Sequence, residues 1–149
     1  METINKFDGE YAFLSNFYPA RITIDDITYP TVEHAFQAMK TFNIDDRISI
    51  SEASTPGKSK RLGRRVKLRD DWEDVKISIM KDLVRQKFTR RHSTIGYKLL
   101  DTGDTLLIEG NNWDDTFWGV CKDKGENNLG KILMEIREEL KTLRSYYKV

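Results

Sequence analysis

Ile22-Thr23-Ile24-Asp25-Asp26-Ile27-Thr28-Tyr29-Pro30-Thr31-Val32-Glu33-His34-Ala35-Phe36-Gln37-Ala38-Met39 changes its hydrophobic period part-way along. Ile22 and Ile24, then Ile27 and Tyr29, flank Asp25-Asp26 in the pattern of a hairpin with an acidic turn. Pro30 ends the second strand, because it has no N–H to offer a ladder. Thr31 then supplies a side-chain oxygen that can cap a helix. Val32, Ala35, Phe36 and Met39 follow at a spacing near 3.6 residues. A hairpin running straight into a helix points to an α+β fold.

The rest of the chain is mainly helical. Thr55-Pro56-Gly57 reads as a cap followed by a first turn, since Pro at the first helical position loses no hydrogen bond. Asp70 or Asp71 can cap a long helix whose apolar face is Trp72, Val75, Ile79, Met80, Leu83, Val84 and Phe88. Ser93 opens a short helix through Leu99 and Leu100 that stops near Gly103. Residues 105–108 form a short apolar strand. Asn127 or Asn128 caps a last helix carrying Leu129, Ile132, Leu133, Ile136, Leu140 and Leu143 on one side. The first thirty residues look extended, and residues 43–59 form the longest polar interval. That interval is too short to separate domains, so residues 1–149 read as a single, mainly helical α+β domain with a small antiparallel β element.

The 149 residues suffice to bury a core without disulfides. The chain is 38% hydrophobic and 33% charged, and its three Trp, six Tyr and seven Phe argue against disorder. Lys and Arg total 25 against 24 Asp and Glu, so the net charge of +1 gives no global pull toward nucleic acid or membrane. Cys121 is the single cysteine, which excludes an internal disulfide and a cysteine zinc cluster. Only His34 and His92 could join it, so no His/Cys metal site is expected, while a carboxylate site for Mg²⁺ stays open. The polar start, Met1-Glu2-Thr3-Ile4-Asn5-Lys6, lacks the apolar run of a signal peptide. No stretch has the length of a membrane span. A cytoplasmic protein is expected.

Three segments carry more polar and aromatic groups than connectors need. In Phe13-Leu14-Ser15-Asn16-Phe17-Tyr18-Pro19, aromatics alternate with Ser15 and Asn16. This can stack a flat base and bind its edge, or plug a loop onto the core. In Thr31-Val32-Glu33-His34-Ala35-Phe36-Gln37, Glu33 and Gln37 are four apart and share a helix face. They can present an acid/base and an amide to a ligand, or be ordinary first-turn charge. His34 reads by default as a surface or core histidine. In Ile108-Glu109-Gly110-Asn111-Asn112-Trp113-Asp114-Asp115-Thr116-Phe117-Trp118-Gly119, three carboxylates, two amides and three aromatics crowd one segment, with Trp113 or Trp118 also able to anchor the core.

Lys58, Lys60, Arg61, Arg64, Arg65, Lys67 and Arg69 form an acid-free basic run. On a helix Lys58, Arg61 and Arg65 share a face that suits phosphate or pyrophosphate, or is a solvated charged face. No dinucleotide fingerprint, Walker sequence or nucleophile elbow is present. Carboxylates, aromatics and a phosphate-friendly patch suit cleavage of a bond between ribose and a base. Such hydrolysis passes through a charged, oxocarbenium-like state that carboxylates stabilise.

The ordered set Phe13-Leu14-Ser15-Asn16-Phe17, Tyr29 to Ala38, Leu62-Gly63-Arg64, Leu68 to Trp72, Lys87-Phe88, Asp115-Thr116-Phe117-Trp118-Gly119 and Asn127 to Arg137 resembles the NADAR family, also called YbiA-like or DUF1768. The resemblance implies a compact, mostly helical α+β domain and N-glycosidase chemistry without a metal or redox cofactor. It implies as substrate ADP-ribosylated guanine, free or in DNA, or a phosphorylated ribosylaminopyrimidine of the early riboflavin pathway. Glu33 matches the family's catalytic glutamate, and Trp72, Asp115 and Trp118 match other active-site positions. Asn16, Phe17 and Gln37 match motif positions. On this reading Glu33 is the principal acid/base, and Asp115 positions the ribose or the water. Trp72 and Trp118 stack on the base, and Arg61, Arg64 and Arg65 bind phosphates. A noncatalytic module for ADP-ribose or a nucleotide is the alternative, and a small DNA-binding protein using only its basic stripe is a third.

Overall fold

The computed structural model describes residues 2–91 and 93–147. In chain order they form β1 (Thr3–Ile4), a 3-10 helix (Gly9–Leu14), β2 (Ile22–Ile24), β3 (Ile27–Tyr29), α1 (Val32–Ala38), α2 (Ile44–Ser51), α3 (Pro56–Gly63), α4 (Trp72–Phe88), α5 (Thr94–Asp101), β4 (Leu106–Leu107), β5 (Gly110–Asn111), β6 (Val120–Cys121) and α6 (Asn128–Tyr147). The fold is α+β. Its elements belong to two units, one comprising Asn16–Lys87 and the other the chain before and after it. His92, the second histidine of the sequence, lies outside the described residues.

In the Asn16–Lys87 unit, β2 and β3 pair antiparallel, with Ile22 opposite Tyr29 and Ile24 opposite Ile27. Asp25 and Asp26 have φ of 50° and 66°, so both turn residues are left-handed, as a tight two-residue hairpin requires. Gln86 on α4 closes the open edge of β2: its Oε1 accepts from Thr23 N–H at 2.7 Å, and its Nε2 donates to Thr23 C=O at 3.1 Å. Thr31 caps α1 as expected, its hydroxyl oxygen accepting from His34 N–H at 3.1 Å. Thr55 does the same for α3 through Lys58 N–H.

The burial of α1 departs from expectation. All of its residues are buried, including Glu33, His34 and Gln37, where periodicity predicts one apolar face. The helix packs against α2, α3 and the β2–β3 hairpin, leaving no face to water. α2 is itself a correction, because residues 43–59 read as a polar interval. Asn43 caps it by accepting from Asp46 N–H at 2.9 Å, and Ile50 and Arg47 are buried. A helix of two turns needs only those inward residues, too few for a periodic signal.

In the other unit, β1 and β4 pair in parallel, Thr3 with Leu106 and Ile4 with Leu107. β5 and β6 also pair in parallel. The expected antiparallel element is therefore the hairpin alone among the described strands. The first thirty residues are not extended throughout either, since Gly9–Leu14 is a 3-10 helix that buries Phe13 and Leu14. Ser93 caps α5 through Gly96 N–H. Leu129, Ile132, Leu133, Ile136 and Leu140 of α6 are buried, whereas Leu143, expected on the same side, is 39% exposed. No helix of the described residues is long and apolar enough to cross a membrane.

Candidate active site

Glu33 enters α1 just after the capping threonine, and its N–H donates to Asn16 C=O at 3.1 Å. Its carboxylate is 8% exposed. One turn later, Gln37 Nε2 donates to Glu33 Oε1 at 2.9 Å, so the shared face expected from their spacing is real. A buried carboxylate demands such a donor, because an unpaired charge away from water is costly. Lys40, at the end of the same helix, lies in the field of Glu33. Burial lowers its ammonium below the ordinary value, the Glu33 carboxylate opposes that, and Arg64, Lys60 and Lys76 reinforce it. Lys40 thus feels one carboxylate, Glu33, and three cations, of which Lys76 is also paired with Glu73 at 2.7 Å.

His34 turns elsewhere. Its ring is 1% exposed. Nε2 donates to Ala53 C=O at 2.9 Å, so Nδ1 accepts from the Thr31 hydroxyl at 2.8 Å. Both nitrogens are spent on structure, and burial holds the imidazole below its ordinary pKa. It is a core histidine.

The remaining expected residues of this unit occupy different settings. Asn16 holds α1 by its carbonyl, and its side-chain amide points at Met80 Sδ, 3.5 Å away. Phe17 is 47% exposed. Trp72 is only 6% exposed and lies tilted against Phe36 with ring centroids 5.0 Å apart. Arg61, Arg64 and Arg65 are exposed. The face expected for Lys58, Arg61 and Arg65 does not form as drawn, because α3 ends at Gly63 with Arg64 at its C-cap. Arg65 follows the helix, and Arg69 is committed to Asp71 through two hydrogen bonds. Arg64 is the arginine of the trio whose charge acts on Lys40.

Asp115 and Trp118 meet in one loop of the other unit. Asp115 Oδ1 accepts from Phe117 N–H at 3.2 Å and Trp118 N–H at 2.9 Å. Its second oxygen takes no hydrogen bond among the described residues. Asn111 braces the loop from β5: its Nδ2 donates to Asp115 C=O at 2.8 Å, and its Oδ1 accepts from Asp115 N–H at 3.1 Å. The start of α6 holds the far side. Asn128 and Leu129 N–H, which a helix start leaves without internal partners, donate to the carbonyls of Phe117 and Trp118. The Trp118 ring meets Phe117 edge-on at 4.8 Å. Trp113 is 59% exposed and does not anchor the core. A cleft of about 710 Å³ in this unit, lined among others by Glu10, Tyr11, Lys98 and Asp101, holds none of the expected site residues.

Sequence reasoning missed Lys40, which couples to Glu33, and the bracing role of Asn111 beside Asp115. Lys40 had a signal: Glu33, Gln37 and Lys40 stand at i, i+4 and i+7, one helical face. Among the described residues no group of three or more His, Cys, Asp or Glu is placed to hold a metal ion.

Residues 4–141 match the model of the NADAR domain. The chain belongs to the NADAR family. It is 44% identical over 141 residues to N-glycosidase Npun_R5314 of Nostoc punctiforme, covering 91% of this chain and 89% of that protein. It is 40% identical over 134 residues to N-glycosidase YbiA of Escherichia coli, covering 88% of this chain and 82% of that one. It is also 37% identical over 142 residues to riboflavin biosynthesis protein VVA0006 of Vibrio vulnificus, and spans 38% of that protein's length. The NMR structure of E. coli YbiA superposes with a TM-score of 0.85 at 36% identity, covering 96% of this chain and 87% of that one. These NADAR relatives support hydrolysis of an N-glycosyl compound as the reaction class.

Proposed function

We propose that this NADAR protein hydrolyses the bond between ribose C1′ and the exocyclic amine of ADP-ribosylated guanine. The observation that carries the reading is the buried Glu33 carboxylate, held by Gln37 and within the electrostatic reach of Lys40. Breaking the C1′–N bond leaves positive charge on the ribose, which an ionised carboxylate stabilises. Water adds to C1′ with Glu33 accepting its proton, and that proton passes to the departing nitrogen, which leaves as the free amine and returns Glu33 to its ionised form. Asp115 keeps one oxygen for its loop and one for a ribose hydroxyl or the water. Trp118 offers a half-buried ring to the base. Trp72, buried against Phe36, forms a wall rather than an open stacking face.

The basic neighbourhood of Lys40, Lys60 and Arg64 suits a pyrophosphate better than a single phosphate, which favours ADP-ribose as the sugar-phosphate part. The second reading, a ribosylaminopyrimidine phosphate, is favoured by the names of the Vibrio relative and of the maize chloroplastic riboflavin biosynthesis protein PYRR. A noncatalytic ADP-ribose or nucleotide module gains nothing from a carboxylate beside its anion. Each substrate would be incubated with the protein, and release of ADP-ribose or ribose 5-phosphate followed by mass spectrometry. Glu33→Gln should lower turnover of the cleaved substrate by about 10² to 10⁴ while the protein stays folded. A folded Glu33→Gln variant with full activity rejects the assignment. Tight ADP-ribose binding by calorimetry without turnover of either substrate selects the binding module.

A further inference from the structure

Gln37 shares a face with Glu33, which on spacing alone makes it a ligand for substrate. Its surroundings say otherwise. The side chain is 3% exposed. Its Nε2 is committed to Glu33 Oε1 at 2.9 Å. Its Oε1 is buried without a hydrogen-bond partner among the described residues. That oxygen lies against Gly63, the last residue of α3. A Cβ at Gly63 would collide with Gln37 Oε1 and come within 2.9 Å of its Cδ. The φ of Gly63 is not left-handed, so no backbone strain demands glycine here. The demand is space.

We propose that Gln37 and Gly63 are positioning residues for Glu33, with Gly63 acting through Gln37 and neither touching substrate. This rests on the reading of Glu33 as the group that accepts the proton. The absence of a side chain at Gly63 lets the amide pack flat between α1 and α3. From there it has one bonding partner, the carboxylate. A donor to the ionised form favours that form, so the amide both orients Glu33 and helps keep it charged. The charged group whose field is shown to couple to the carboxylate is Lys40, just past α1, and Lys60 and Arg64 of α3 and its cap and Lys76 of α4 act in turn on Lys40. From α2 and the hairpin, Arg47 and Asp25 are paired with each other. The amide is thus a neutral device among full charges, and its removal is separable from theirs.

The test compares wild type, Gln37→Met, Gly63→Ala, Gln37→Ala and the double variant Gln37→Ala/Gly63→Ala, using whichever ribosylated substrate wild type cleaves. Gln37→Met keeps the volume and removes the donor. It should lower kcat about 10- to 100-fold, the range a hydrogen bond to a charged group spans. KM should stay within about twofold, because no uniform substrate contact is lost. The acidic limb of its pH–rate profile should move to higher pH. A carboxyl NMR titration of Glu33, which needs no substrate, should move the same way. Gly63→Ala should reproduce the kcat loss, yet cost nothing further when added to Gln37→Ala.

A raised KM at unchanged kcat would make Gln37 a substrate ligand and overturn the proposal. So would an unmoved pH limb, or Gly63→Ala losses that simply multiply those of Gln37→Ala. If Gly63→Ala does not fold, the pH profile and titration of Gln37→Met decide. An inactive Glu33→Gln beside a wild-type-like Gln37→Met sinks this inference alone, whereas an active Glu33→Gln sinks the reading beneath it.

Discussion

Around Glu33 the carboxylate is held by a side chain, the Gln37 amide, within a helix buried on every side. Around Asp115 it is held by backbone, through the N–H groups of Phe117 and Trp118 in a loop pinned to the start of α6. The difference separates chemistry from architecture. Glu33 can change while Thr31 still caps α1, since that cap runs from the Thr31 hydroxyl to His34 N–H. Asp115 spends one oxygen on the shape of its own loop, so removing it alters reactivity and structure together.

The sharpest way to break that contrast is at Asp115. Asp115→Asn keeps an oxygen for the two N–H groups and discards the charge. Turnover should fall about 100-fold with the thermal midpoint little changed. Asp115→Ala should lose turnover as well, and also about 1 to 3 kcal/mol of unfolding free energy, because two N–H groups lose their acceptor. Denaturant titrations of the two variants check this. Equal stability of Asn and Ala variants would dissolve the distinction.

Next come groups buried in the Asn16–Lys87 unit, where titration rather than backbone geometry governs. Lys87 is 3% exposed, and burial lowers its pKa from 10.5 to about 7. Below 7 the lysine is protonated in folded and unfolded chains alike. Between 7 and 10.5 the folded chain gives up its proton first, so stability rises with pH. The gain should be on the order of 5 kcal/mol across that window, and Lys87→Met should remove the slope in urea titrations. His34 has the same sign in a lower window. Its stabilising neutral form is complete above 6.5 and is lost as pH falls through the depressed folded value. Stability of wild type relative to His34→Gln should therefore decline in mild acid.

The smallest effect belongs to Tyr29. Its ring is buried, and its hydroxyl has no hydrogen-bond partner among the described residues. Burial, the largest cause, holds the phenol above 10, Arg47 opposes it and Asp25 adds to it. Tyr29→Phe should change stability by less than about 1 kcal/mol at neutral pH. Above pH 10 the unfolded phenol ionises first, so wild type should lose stability that the Phe variant retains. Calorimetric scans on either side of that pH check both statements.

Caps, turns and periodicity were legible because each depends on neighbours a few residues away. Thr31, Asn43, Thr55 and Ser93 all accept from the amide three residues on, and of the four only Asn43 carries no flanking periodic signal that marks it as a cap. The apolar stripe of α6 and the hairpin around Asp25-Asp26 are equally local. The NADAR family was also legible in ordered motifs along the chain.

What the tertiary structure decided is which polar groups face inward, and what they meet there. Spacing put Glu33 and Gln37 on one face but could not say that this face is buried. That depends on α3 arriving with Gly63 at the contact, more than twenty residues later in the chain. Likewise β1 finds β4 in parallel only because the intervening chain returns, a pairing with no local signature. Arg69 reads as one more cation of a basic run until Asp71 accepts from its Nε and Nη2. The sequence by itself determined the helices, the hairpin and the inventory of reactive groups, because those follow from local backbone chemistry. Burial, pairing and the company each charge keeps were decided by packing between distant segments, because solvent exclusion is a property of the assembled chain.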